Sequence, residues 1–142
     1  MLFKLIKEEV PKKIEGSILE LGSGFFPLSY QAANLFKENE VIAYETSLVP
    51  YLFSKIYLFA FPLKNLKIIR KDFFKVSFHE GKLLLCYLYP AAMQKLENKF
   101  EKELPKEAYI ISNTFALPNK KPEKVITTDD LYKTKIYLYK NS

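Results

Sequence analysis

The chain has one cysteine, Cys86, which excludes an internal disulfide and any cysteine-built metal cluster. It has one histidine, His79, too few for a histidine metal site or for a triad argument, and no tryptophan. Arginine occurs once, as Arg70, beside 21 lysines. Base-edge readout and bidentate phosphate clamps use the planar guanidinium fork, so a dedicated nucleic-acid reader is not favoured. The longest apolar stretch, residues 51–63, holds Ser54 and Lys55 and falls short of the roughly 20 residues a bilayer span needs. Lys4, Lys7, Glu8 and Glu9 interrupt the N-terminal segment, which therefore lacks a secretory apolar region. No GxxxxGK[ST] phosphate loop occurs. These absences lead to the expectation of a cytoplasmic protein with no membrane insertion.

What remains is an ordinary globular composition. The 142 residues are 49% hydrophobic and 27% charged, which suits a single domain over 1–142. The net charge of +6 is spread evenly, with +3 in residues 1–71 and +3 in 72–142, so there is no basic arm. A lysine-rich solvated surface accounts for it, and weak, salt-sensitive contacts with nucleic acid stay open.

Strands and helices alternate up to about residue 112. A short helix to about Val10 precedes a buried strand, Ser17 to Leu21, cut off by Gly22-Ser23-Gly24. Pro27 opens a helix striped by Leu28, Ala32, Leu35 and Phe36. Val41 to Tyr44 is the next strand. Val49, Leu52, Phe53, Ile56 and Ala60 have the spacing of a core-facing helix stripe ended by Pro62. Tyr51, Leu58 and Phe61 on its second face read equally as a dimer or partner surface and as a wide core stripe, and the expected state is a monomer or a weak dimer. Lys67 to Arg70 and Leu83 to Leu88 are further strands. Met93, Leu96, Phe100 and Leu104 stripe a helix whose other face is Lys95, Glu97, Asn98, Lys99, Glu101 and Lys102. Ala108 to Ser112, Lys124 to Thr127 and Thr134 to Tyr139 close the chain. The pattern predicts an α/β, Rossmann-like, doubly wound sheet of seven strands, mostly parallel, with an antiparallel C-terminal hairpin. A ligand site then belongs at the carboxyl ends of the strands, beside the switch point after the first.

That edge carries the strongest chemical signal. Glu20-Leu21-Gly22-Ser23-Gly24 is a strand-to-helix turn whose glycines let a ligand approach the backbone. Glu45 ends the next strand, placed to accept ribose hydroxyls, and Asp72-Phe73 follows the third. Three acids at three successive strand ends point to a nucleoside-containing cofactor. The third glycine of a dinucleotide site is missing, and Glu20 suits a cationic sulfonium or ammonium better than a diphosphate. S-adenosylmethionine (SAM) is therefore favoured over a nicotinamide dinucleotide. His79 in Phe78-His79-Glu80-Gly81 reads as a turn, and Cys86 as buried filler.

With these motifs the chain resembles the class I SAM-dependent methyltransferases. Within them it is most similar to the small protein-lysine N-methyltransferases, the archaeal broad-specificity enzyme and the ATP synthase c-subunit lysine methyltransferase family among them. The similar stretches are Tyr44-Glu45 with Pro50, Asp72-Phe73-Phe74-Lys75-Val76, the Leu96 to Leu104 helix, Phe115 with Pro118, Pro122 to Ile126, and Ile136 to Tyr139. The resemblance implies SAM as cofactor and lysine side chains of a protein as acceptors. It implies a cofactor site of Glu20, Gly22, Ser23, Gly24, Glu45, Thr46, Asp72, Phe73, Tyr87 and Leu88, and no metal. It assigns no catalytic residue; Tyr87, Tyr89, Asn113 and Phe115 are candidates for the substrate channel. The chain departs from the family at Phe25-Phe26, where Asp-Gly is usual and where rings would narrow the pocket, and at Thr46, where asparagine is usual. An RNA or small-molecule methyltransferase on the same fold, or a catalytically degenerate binding module, are the competing readings.

Overall fold

The computed structural model describes residues 1–25 and 27–142. The elements run α1 (Leu2–Glu9), β1 (Ser17–Leu21), α2 (Leu28–Leu35), β2 (Val41–Tyr44), α3 (Leu48–Ala60) and β3 (Leu66–Ile69). A 3₁₀ turn (Phe73–Lys75), β4 (Gly81–Cys86), α4 (Pro90–Glu103), β5 (Tyr109–Asn113), β6 (Lys124–Thr127) and β7 (Lys135–Lys140) follow. The seven strands form one sheet in the order β3-β2-β1-β4-β5-β7-β6. The first five are parallel; β7 is antiparallel to both β5 and β6. The direction of winding reverses at β1, whose neighbours are β2 and β4, so the mouth after β1 is the switch point.

Each face of the sheet has its own apolar layer. Leu5 and Ile6 of α1, Ala32 and Ala33 of α2 with Phe36 at its C-cap, and Ile18, Ala43, Ile68 and Leu85 fill one. Met93, Leu96 and Phe100 of α4 pack with Leu19, Leu21, Leu84, Ile110 and Tyr139 in the other. The alternation of inward residues along β1 and β4 supplies both layers, which explains why these strands read as unbroken apolar runs. Asn65 donates to the carbonyls of Ala33, Phe36 and Asn39, each at 3.0 Å, and so satisfies acceptors at the C-terminal end of α2.

Three expectations need correction. The strand expected over Leu83 to Leu88 is β4, Gly81–Cys86; both neighbours stop pairing at Cys86, leaving Tyr87 and Leu88 in the β4–α4 loop. The stripe Val49, Leu52, Phe53, Ile56 and Ala60 faces outward, and Tyr51 and Leu58 pack on the core instead, with Ser54 buried between them. The helix is apolar on both sides, so periodicity alone had no contrast to work with. Glu97, expected on the wet face of α4, is buried; its carboxylate accepts from the Asn119 backbone amide at 2.9 Å and from Asn119 Nδ2 at 3.0 Å.

Candidate functional site

Four strand ends converge on the Gly22-Ser23-Gly24 turn. Gly22 and Gly24 adopt positive φ, +75° and +64°, which side-chain-bearing residues rarely tolerate. A Cβ on Gly22 would stand 3.2 Å from Leu88 Cδ2, beyond β4, and 4.0 Å from Phe73 Cε1, beyond β3. From beyond β2, Glu45 Oε2 accepts from the Gly24 amide at 2.7 Å, while its Oε1 accepts from the Ser47 amide at 3.1 Å. Ser54 Oγ on α3 donates to the Gly24 carbonyl at 3.3 Å. The turn is thus held on both sides of its last glycine.

The cleft beside this turn encloses about 170 Å³. Glu20, Gly22, Ser23 and Leu28 line one wall; Leu85, Cys86, Tyr87 and Asn113 line the other. Ser23 Oγ is buried and has no hydrogen-bond partner among the described residues. Glu20 is 5% exposed, and its carboxylate caps α2, accepting from the Leu28 amide at 3.0 Å and from the Ser29 amide. Burial pushes its pKa up to about 7 against the opposing pull of those amides, with the Glu45 charge adding to the rise. Glu20 therefore stands at the cleft in both charge states near neutral pH.

Of the residues expected here, the structure brings Glu20, Gly22, Ser23, Gly24, Glu45, Phe73, Tyr87, Leu88 and Asn113 to this edge of the sheet. Asp72 ends the segment after β3 and uses Oδ1 to accept from the Phe74 amide at 2.9 Å, capping the 3₁₀ turn. The Phe73 ring is buried against Phe74, centroids 4.5 Å apart. Thr46 is exposed, and its carbonyl accepts from Arg70 Nε at 3.0 Å. Tyr89 is exposed at the N-cap of α4. Phe115 is half-buried over the α4 layer, its carbonyl accepting from Ser112 Oγ at 2.5 Å. Thr114, between Asn113 and Phe115, holds a φ of +76°, a strained conformation for a β-branched residue. Leu28, Leu85 and Cys86 also line the cleft, which the motif reading did not foresee; Cys86 was legible only as core.

Phe25 points away from the cleft. Its ring meets Phe53 edge-on, centroids 5.7 Å apart, and lines a separate groove of about 210 Å³ between α2 and α3. The narrowing expected from Phe26 lies outside the described residues. His79 stands at the amino end of β4, the sheet edge opposite the cleft. Among the described residues no group of three or more His, Cys, Asp or Glu could hold a metal ion.

The fit to a nucleoside cofactor carrying cationic groups rests on these observations. A side chain at Gly22 would press on Leu88, Ser23 has an unspent hydroxyl, the Cβ direction of Gly24 is open, Glu45 grips the turn, and Glu20 lines the cleft. The fold and site define a class I methyltransferase domain, of the kind that uses SAM. The chain belongs to the family described as the ANTKMT methyltransferase domain, whose model matches residues 20–124. It is 39% identical over 57 residues to the adenine nucleotide translocase lysine N-methyltransferase of Mus musculus, a match covering 40% of this chain. The chain matches about a quarter of that protein's length, 25%. In structure it is similar to an RNA methyltransferase from Salinibacter ruber in complex with S-adenosyl-L-homocysteine, with a TM-score of 0.82 at 18% identity over 98% of this chain and 88% of that one. A variant of MtNAS in complex with SAM has a TM-score of 0.76 at 14% identity, over 99% and 62%. At these identities the two structures speak for the fold.

Proposed function

We propose that this domain transfers methyl groups from SAM to lysine side chains of a protein. The reading is carried by family membership together with a glycine turn held between Glu45 and Ser54 beside an open cleft. The lysine preference comes from the mouse relative. When bound, SAM supplies an electrophilic methyl group on a sulfonium.

In this reading Glu45 and the Gly22-Ser23-Gly24 backbone orient the donor, with the Ser23 hydroxyl as a further partner. The acceptor must be a neutral amine, and deprotonating a free lysine at pH 7 costs roughly 4.6 kcal/mol. Desolvation lowers that cost. Tyr87 and Tyr89 are exposed at the mouth and Phe115 is half-buried, so the dry aromatic channel is completed only by the substrate's own surface. Neither Cys86 nor His79 serves as a base: Cys86 is buried with its thiol pushed up to about 12, and His79 is at the far edge. Positioning and desolvation then do the work, with the proton leaving to solvent.

Labelled methyl transfer to a lysate, split into protease-treated and nuclease-treated halves, tests the reading. Signal lost to protease and retained after nuclease supports it. Signal that survives protease and disappears with nuclease would replace it with RNA methylation, and absence of SAM binding by calorimetry would leave only a binding module.

A further inference from the structure

The outer side of α3 is apolar and exposed. Phe59 is 90% exposed, Ile56 69% and Val49 65%, with Leu48, Leu52 and Ala60 also exposed. On a helical wheel these six positions cover about a third of the circumference without a polar residue between them. A surface helix of a soluble domain would carry charges there; α3 has none on that side, and its single charge, Lys55, lies on the flank. A contiguous patch of this kind calls for a covering partner.

The charges around the patch narrow the choice. From Thr46 to Lys71 there are 26 residues without one Asp or Glu, while Lys55, Lys64, Lys67, Arg70 and Lys71 supply five positive groups. Lys67 is paired with Glu40 at 3.3 Å; the other four are exposed on α3, on the loop after it and at the end of β3, the edge strand. An apolar helical face with large side chains and a basic surround is the arrangement by which a helix lies in a bilayer interface rather than across it. Length agrees, since among the described residues no helix is long and apolar enough to cross a membrane. A second copy of this chain seated face to face would bring the two basic surrounds together. The charge pattern is instead complementary to anionic lipid headgroups.

We propose that α3 docks this domain on the surface of an anionic membrane, Phe59, Ile56 and Val49 entering the headgroup boundary and Lys55, Lys64, Arg70 and Lys71 meeting lipid phosphates. The inference does not depend on the methyl acceptor. Because Leu48 lies three residues past Glu45, a docked α3 sets the mouth of the cleft close to the membrane plane.

Vesicle co-sedimentation of the full chain tests this, using phosphatidylcholine alone and phosphatidylcholine mixed with phosphatidylglycerol. Binding is expected to the mixed vesicles, to weaken with salt, and to fall by about tenfold or more in an Ile56→Glu/Phe59→Glu double variant. Both positions are exposed, so that variant should keep the wild-type thermal melting point, and SAM binding should be unchanged. No binding to mixed vesicles at low salt overturns the proposal, as does equal binding by the variant. Sedimentation velocity showing a lipid-free dimer that the variant dissolves also overturns it, in favour of a second copy.

Discussion

The amide of Gly24 donates to Glu45 Oε2 at 2.7 Å across 21 residues of chain. One hydrogen bond thereby locks the turn after β1 to the end of β2, and the same carboxylate caps Ser47 at the start of α3 through its other oxygen. Glu45 both shapes the turn and remains half-exposed for a ligand. Glu45→Ala is expected to weaken SAM binding by about tenfold to a hundredfold, the range for a hydrogen bond to a charged group. Glu45→Gln, which keeps an acceptor oxygen for Gly24, should lose less. Titration calorimetry reads both, and unchanged affinity in the alanine variant would remove Glu45 from the ligand site.

The two glycines of the turn are constrained differently. Gly24→Ala adds a methyl into open space at φ +64°, so its cost should be the left-handed strain alone, about 1–2 kcal/mol. Gly22→Ala carries the same strain at φ +75° and also presses on Leu88 Cδ2 at 3.2 Å. It should be the more destabilising of the two, and a Leu88→Ala background should remove the excess. Urea unfolding of the four proteins in a double-mutant cycle measures that coupling. Additive costs would mean that Leu88 yields freely.

The alternation of strands and helices, and with it the edge that carries the candidate site, was legible because glycines and prolines mark many of the element boundaries. The inner face of α3 was not: its two candidate stripes are both apolar, and the choice was made by Ser54, small enough to come close and able to donate to the Gly24 carbonyl. Glu20 was legible as an acid at the site. Its grip on the Leu28 and Ser29 amides was not: the pattern places a helix opening at Pro27 beside the turn, but not that the first amides of that helix turn onto the Glu20 carboxylate. Glu97 was misread for a related reason: a single buried acid on a wet-looking helix face is explained only by Asn119, a loop residue 22 positions away.

Cys86 lines the cleft but should be chemically silent. Burial pushes its thiol up to about 12, and its Sγ donates to the Ile111 carbonyl at 3.6 Å. At pH 8 the native protein is expected to resist iodoacetamide, while the denatured chain takes up one label at its single cysteine. Mass spectrometry before and after denaturation distinguishes the two states. Rapid native labelling would show that the cleft opens to solvent at Cys86.

Glu20 makes the stability of the fold depend on pH in an unusual direction. Its folded pKa of about 7 lies above the ordinary value of 4.5, because burial outweighs the two amides it accepts from. Between those values the folded state holds more protons than the unfolded chain, so stability falls as pH rises. The contribution is complete below about pH 4.5, is lost progressively up to about pH 7, and is worth on the order of 3 kcal/mol. Paired surface acids such as Glu107, whose pKa the hydrogen bond from Lys140 lowers, act in the opposite sense and at lower pH. Comparing Glu20→Gln with the wild type cancels them. The difference in unfolding free energy between the two proteins, measured by urea titration from pH 5 to pH 8, should therefore drift steadily against the wild type and level off above neutrality. Parallel stability curves would mean that Glu20 is ionised throughout and that the helix N-terminus, not burial, sets its charge.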